Sequence, residues 1–186
     1  MRRLSVVALA WLLALASVAA PVVAESFHSD VYAFSITYPE GWKLGTGEGE
    51  IVTRAIGPGS AMNVSVAATS RPDFDAEGFT GAQLERIAER LATTAAGALK
   101  DFALIERDRA QLGGKPAAYF SYRAVVDSPR GAVETVGYYV ATAHRGRVYS
   151  VTGVTQKRFR ARMQRVILEA IGSFRFTDAS DKDRGE

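Results

Sequence analysis

Residues 115–155 of the chain read KPAAYFSYRAVVDSPRGAVETVGYYVATAHRGRVYSVTGVT. Three runs in this stretch, 115–126, 133–144 and 147–155, alternate apolar with small or polar side chains, which is the pattern of strands with one buried face. The sequences SPRG and RG separate the runs, and both are typical of tight turns. Because consecutive strands joined by short turns pair antiparallel, the stretch predicts a three-stranded meander.

Outside the meander, the chain alternates between strand and helix patterns. Further strands are predicted at 31–38, 50–56, 61–69 and 102–112, with the second and third of these forming a hairpin. Apolar residues at helical spacing predict one helix over 83–99 and another that ends at Gly172. We expect Thr80 and Thr155 to be the N-caps of these helices. About six to seven antiparallel strands flanked by helices make an α+β domain.

Both ends of the domain carry smaller predicted features. Trp42 follows a Pro39-Glu40-Gly41 turn and is expected to close one end of the core. Near the C-terminus, Phe174-Arg175-Phe176 is expected to pack against the sheet. Residues 25–30 are predicted as a polar lead-in to the domain, which spans 31–176, and residues 177–186 as a disordered charged tail.

The first 24 residues predict export. A basic Met1-Arg2-Arg3 start precedes an almost wholly apolar run from Leu4 to Ala20, and small or modest side chains then lead to Ala24. This layout is typical of a secretory signal peptide cleaved after Ala24. The alternative is an uncleaved membrane anchor, since the apolar run is close to the shortest that spans a bilayer. We therefore expect a periplasmic or secreted protein.

Composition excludes several classes of site. The chain has no cysteine and two histidines, so disulfides, thiol catalysis and cysteine-ligated zinc are excluded and a histidine-built metal site is not expected. The net charge of +3 falls to +1 when Arg2 and Arg3 leave with the leader, which does not favour nucleic acid. Asp73, Asp75 and Glu77 resemble part of a calcium loop but lack its glycine and distal glutamate. We predict no metal and no cofactor.

The inventory of catalytic groups is small. His28 lies in the polar lead-in, and His144, beside a turn, is expected to be solvated. Neither has an orienting partner in the sequence, and no nucleophile-elbow or Ser-x-x-Lys motif occurs. We therefore predict a protein that is not an enzyme, although a hydrolase with an unrecognised site stays open as an alternative.

A basic segment at the start of the last helix is the strongest candidate site. The segment has no acid before Glu169. Its five cations are Lys157, Arg158, Arg160, Arg162 and Arg165. Cations at a helix N-terminus oppose the helix dipole. The functional interpretation is a docking surface for an acidic protein or an anionic membrane-associated complex. The alternative is that acids elsewhere in the fold neutralise the segment.

Tyrosines in the meander supply a second candidate. Tyr122, Tyr139 and Tyr149 are predicted to line an aromatic groove for a small molecule, because neighbouring strand residues such as Tyr138 and Tyr139 face opposite sides of the sheet. Packing is the alternative for all of these rings. Neither candidate predicts an oligomeric state.

The chain also resembles a known family. The opening FSITYPEGW at 34–42, the GGKPA turn at 113–117, and the ending VYSVT at 148–152, helix, and IGSFRF at 171–176 are similar to the PsbP/Mog1-like superfamily. The resemblance implies an antiparallel sheet between helices, an α/β/α sandwich. It also implies a non-enzymatic binding or accessory protein, and it supplies no catalytic residues.

Overall fold

The computed structural model of the chain describes residues 24–60, 62–71, 79–129 and 131–177. Outside these ranges lie residues 1–23 of the predicted leader, the loop acids Asp73, Asp75 and Glu77, and residues 178–186 of the predicted tail. The elements in chain order are β1 (Glu25–Ser29), β2 (Phe34–Tyr38), β3 (Lys43–Thr46), β4 (Ile51–Ile56), β5 (Met62–Ser70), α1 (Gly81–Ala98), β6 (Lys100–Leu112), β7 (Lys115–Ser128), β8 (Gly131–His144), β9 (Arg147–Gln156), α2 (Arg160–Gly172) and β10 (Arg175–Phe176). Neither helix is both long and apolar enough to cross a membrane.

Seven strands form one antiparallel sheet in the order β3-β4-β5-β9-β8-β7-β6. The predicted meander is confirmed, since Tyr138 of β8 lies opposite Ser121 of β7 and Gly153 of β9. The predicted hairpin of β4 and β5 is confirmed as well, and β5 pairs along its length with β9. β6 forms one outer edge, and its pairing with β7 contains two register shifts. The α+β fold class is thereby confirmed.

A second, three-stranded sheet has the order β1-β2-β10. The polar lead-in predicted at 25–30 is wrong, because β1 pairs along β2. Only Phe27 of β1 packs against the core, so this strand lacks the apolar alternation of the others. β2 is shorter than the predicted strand at 31–38, because the chain turns at Ala33, whose φ of 49° is incompatible with an extended strand.

Helix α2 and the small sheet share one face of the large sheet. They enclose the larger hydrophobic core, in which Phe34, Tyr149 and Phe174 form an aromatic cluster with ring centroids 5.2–6.3 Å apart. Helix α2 contributes Met163, Ile167 and the residues at 170 and 171. The C-terminal segment packs onto the sheet as predicted, because Phe174 is fully buried in this core.

Helix α1 covers the opposite face. Leu84, Ala88 and Ala92 are its buried residues, and the helix packs over β6 and β7 against side chains such as Phe120 and Ala118. Tyr138 belongs to the core under α2, and its neighbour Tyr139 packs with the rings under α1. Because neighbouring strand residues face opposite sides, the two helices enclose the sheet between them.

The two predicted helix caps have different outcomes. The backbone N–H of Thr80 donates to Gln83 Oε1 at 2.8 Å, which is part of the capping box of α1 and agrees with the predicted cap. Thr155 as a cap is wrong. It is fully buried in β9 opposite Met62 and Val136, because strand pairing continues past the predicted end of β9.

Candidate functional site

The predicted basic residues lie at the junction of β9 and α2. A 3-10 turn, Lys157–Phe159, leads from the end of β9 into α2. The helix directs Met163 and Ile167 into the core, which leaves its other sides in solvent. All five side chains are exposed and together are called the basic face: Lys157, Arg158, Arg160, Arg162 and Arg165.

Two of these five cations have local ionic partners. Lys157 Nζ lies 3.0 Å from Glu134 Oε2, and Arg165 Nε lies 2.7 Å from Glu169 Oε1 one turn along the helix. The hydrogen bond to Glu169 raises the pKa of Arg165. Both pairs are solvent-exposed, where ion pairs are weak and screened by salt. Acids elsewhere in the fold therefore neutralise part of the basic face.

Arg158, Arg160 and Arg162 have no carboxylate at ion-pair distance among the residues that the structure describes. The guanidinium of Arg158 instead lies over the ring of Phe159, with Cζ 4.7 Å from the ring centroid. The first turn of α2 contains no acid, so these cations also oppose the helix dipole. Within the described part of the chain, these three arginines therefore form a positive patch at the start of α2 that has no ion-paired carboxylate.

A cleft of about 540 Å³ lies beside this patch, between the start of α2 and two turns of the chain. We call it the α2 cleft. Its apolar lining comes from Trp42, Met62, Phe159, Met163 and Val166, with two prolines at its edge. Arg158 and Arg162 lie on the helix side of the cleft, and Glu40 is the only acid among the described residues that line it. The cleft therefore combines an apolar interior with a cationic rim.

Close packing behind Trp42 shapes one wall of the α2 cleft. Trp42 is 7% exposed, as expected for a residue that closes the core, and its backbone N–H donates to the carbonyl of Pro39 at 3.2 Å. At Gly57, just before the second turn, an added Cβ would lie 2.4 Å from Met62 Cγ and 3.0 Å from Trp42 Cε2. Only glycine leaves room for this contact, so the turn after β4 lies directly on Trp42.

The structure does not bring the three predicted groove tyrosines together. Tyr149 is buried on the α2 face, where its hydroxyl donates to the carbonyl of Tyr32 at 2.9 Å. Tyr122 and Tyr139 lie on the α1 face, and each packs against Phe120. Burial raises the pKa of both hydroxyls. The prediction of a single aromatic groove is therefore wrong. Tyr139 lies opposite Thr152 of β9, and Tyr149, three residues from Thr152, faces the other side of the sheet.

The positions of the two histidines are also unlike those of catalytic histidines. His144 is 8% exposed and its ring lies 4.3 Å from that of Phe176, so the predicted solvated position is wrong. The cause is β10, which covers the end of β8. His28 is exposed on β1 and lies 3.0 Å from Asp30. Within the described ranges, no three His, Asp or Glu side chains are grouped as metal ligands.

Sequence reasoning missed the α2 cleft. Its walls come from segments far apart in the chain, namely the turn before Trp42, the start of β5 and the start of α2. The one available signal was the PEGW sequence at 39–42, where a proline and a glycine hold a large aromatic residue in a turn.

Comparisons with solved structures support the architecture. CyanoP, the cyanobacterial PsbP of Synechocystis sp. PCC 6803, has a TM-score of 0.64 at 16% identity, covering 89% of this chain and 98% of that chain. LpqN, involved in cell envelope biogenesis of Mycobacterium tuberculosis, has a TM-score of 0.55 at 9% identity, covering 83% and 86%. A protein of Bacteroides thetaiotaomicron VPI-5482 has a TM-score of 0.54 at 13% identity, covering 84% of this chain and 49% of that one. At these identities the likeness is one of fold.

The family assignment comes from the sequence itself. No curated protein matches the chain. A family model for PsbP matches residues 24–176, the span that contains every described strand and helix. The match includes β1, which lies outside the predicted domain of 31–176, and it confirms the resemblance to PsbP. The chain belongs to the PsbP family.

Proposed function

We propose that this protein is an exported, non-enzymatic accessory module that docks on an acidic partner protein through the basic face. The observation that carries the proposal is the set of three exposed arginines, Arg158, Arg160 and Arg162, without a carboxylate partner in the described structure. A guanidinium presents planar donors that match a carboxylate. Three such groups in one helical segment form a ready surface for carboxylates of another chain.

The unfavourable interaction of these arginines with the helix dipole supports the same function. Each cation in the first turns of α2 opposes the helix dipole by a few tenths of a kcal/mol. An acidic partner would reverse this unfavourable term and add charge-assisted hydrogen bonds. Complementary charge would also steer the encounter, so association should slow as salt rises.

Ligand binding at a tyrosine groove and hydrolysis receive less support. A small-molecule groove built on Tyr122, Tyr139 and Tyr149 has lost its geometric basis. A hydrolase would need a base that reaches its substrate, and His144 is 8% exposed and packed against Phe176. An anionic membrane-associated complex offers the same charge as an acidic protein and is therefore an outcome of the test.

The test compares two triple variants of the full, tagged chain. Arg158→Gln/Arg160→Gln/Arg162→Gln removes the unpartnered cations. The control, Arg86→Gln/Arg90→Gln/Arg123→Gln, removes the same charge from exposed positions away from α2. Both variants and the wild type are used in pull-downs from cell-envelope extracts at low and high salt. They are also sedimented with vesicles of neutral or anionic lipid.

We expect wild type and control to retain the same partner at low salt and to lose it at high salt, with no retention by the basic-face variant. Equal retention by all three proteins contradicts docking through the basic face. Sedimentation with anionic vesicles that depends on Arg158, Arg160 and Arg162, without a retained protein, would assign the surface to lipid instead.

A further inference from the structure

We propose that the α2 cleft receives a bulky apolar side chain carried by an acidic segment of the partner protein. This inference rests on the docking proposed above, because the cleft and the basic face share Arg158 and Arg162. It adds an apolar anchor to what is otherwise an electrostatic surface. Interfaces commonly have this plan, in which a buried anchor supplies affinity and a charged rim sets orientation.

The interior of the cleft suits an apolar side chain. Its volume of about 540 Å³ exceeds the space needed for one aromatic ring. Trp42, Met62 and Met163 are 7%, 8% and 9% exposed, so the cleft floor is continuous with the hydrophobic core. Methionine side chains adapt to guests of different shape. An entering side chain would remove water from these apolar walls, which is the favourable term.

The charges around the cleft determine what must flank that side chain. Arg158, in the 3-10 turn before α2, and Arg162, in the first turn of α2, both line the cleft from its helix side. Of the lining residues that the structure describes, Glu40 is the only acid, and it is not at ion-pair distance from either arginine. Glu40 disfavours a carboxylate inside the cleft. The acids of the partner therefore belong on the helix side, next to the anchor and not in its place.

The extent of the positive patch favours a polypeptide over a small amphiphilic anion. A single small anion in the cleft would engage Arg158 and Arg162, but Arg160 is exposed outside the lining of the cleft and would stay without a counter-charge. A chain with carboxylates on both sides of an apolar residue can reach all three. The occupant is thus an acidic protein segment with one aromatic or large aliphatic residue.

The test uses designed peptides and a tryptophan signal. Trp11 and Trp42 are the only tryptophans, so a full chain with Trp11→Phe reports from Trp42 in the cleft wall. Fluorescein-labelled peptides carry a central Phe between runs of Glu. Matched peptides replace the Phe by Ala, or the Glu residues by Lys. Fluorescence anisotropy measures affinity, and Trp42 emission reports occupation of the cleft.

Two variants test the location. Val166→Phe places a ring into the cleft from its half-buried wall, and Leu168→Phe makes the same kind of change at an exposed position of α2 outside it. We expect the Phe peptide to bind about tenfold tighter than the Ala peptide and to change Trp42 emission. Val166→Phe should abolish that difference, and Leu168→Phe should preserve it.

The outcomes separate this inference from the docking proposal. If the Phe and Ala peptides bind equally and both depend on Arg158, Arg160 and Arg162, the anchor is overturned while the docking surface stands. If neither acidic peptide binds at low salt, both ideas fail. Equal binding of the Lys-flanked peptide overturns the acidic character of the segment. If Val166→Phe does not fold, the comparison of the Phe and Ala peptides in the Trp11→Phe chain still tests whether an apolar side chain enters the α2 cleft.

Discussion

Tyr38 illustrates how a single buried hydroxyl couples this fold to pH. The residue is 1% exposed, and its hydroxyl donates to Thr53 Oγ1 at 3.3 Å. Burial raises the pKa of Tyr38 from 10.0 to about 12, with the hydrogen bond to Thr53 opposing the shift. The folded state therefore favours the neutral phenol. This contribution to stability is complete below pH 10 and is lost as the pH rises towards 12.

We predict that the free energy of unfolding falls across this alkaline window by about 2 to 3 kcal/mol on account of Tyr38. Tyr38→Phe should lower the free energy of unfolding by about 1 kcal/mol near neutral pH. The free energy of unfolding of this variant should then fall less steeply at high pH than that of the wild type. Urea unfolding at several pH values measures both slopes. Some decline should persist, because burial also raises the pKa of Tyr119, Tyr122 and Tyr139. Parallel curves for the two proteins would contradict the assignment.

Side-chain positions were predictable only where local pattern decides them. The exposure of the five basic residues followed from the helical period, because the apolar stripe of α2 had to face the core. The burial of His144 did not follow, since β10 reaches it from the far end of the chain. The walls of the α2 cleft were unpredictable for the same reason.

Helix α2 sits close to the sheet because of one glycine. An added Cβ at Gly153 of β9 would lie 2.1 Å from Ile167 Cγ2 and 3.6 Å from Val64 Cγ2. The Val64 distance is an ordinary contact, but Ile167 is fully buried and cannot yield without a shift of α2. The position of α2 against the sheet depends on this contact. The basic face and the α2 cleft depend on it as well, because both include residues of α2.

We predict that Gly153→Ala destabilises the protein by about 1 to 3 kcal/mol through overpacking. The matched control is Gly97→Ala near the end of α1, where an added Cβ meets nothing within 4 Å. Alanine at that helical position should stabilise by about 0.5 to 1 kcal/mol. Chemical denaturation of both variants measures the difference. Equal effects at the two positions would show that α2 does not rest on Gly153.

Elements with long amphipathic patterns were predictable, and the short ones were not. β3 and β10 have four and two residues, too few for a periodic signal. β3 is held by its pairing with β4, and β10 by its pairing with β2. Their existence is a consequence of tertiary packing, which a local pattern does not contain.

For the molecule as a whole, the first described strand begins directly after the predicted signal-peptide cleavage site. β1 begins at Glu25, which lies opposite Tyr38. We predict that cleavage after Ala24 leaves every strand that the structure describes intact and that the exported protein begins at Glu25. Expression of the full chain in an exporting bacterium, followed by intact-mass measurement, should show the loss of residues 1–24. A full-length mass in the membrane fraction would favour the retained anchor instead.

The outer strand β6 has a consequence for how copies of this protein meet. Its middle reads Glu106-Arg107-Asp108-Arg109. Two copies related by a two-fold axis perpendicular to the sheet would place Arg107 against Arg107 and Glu106 against Asp108, or Asp108 against Asp108 and Arg107 against Arg109. Both registers oppose like charges, which is unfavourable across paired strands. The alternation thus disfavours the joining of two copies into one continuous sheet through their β6 edges.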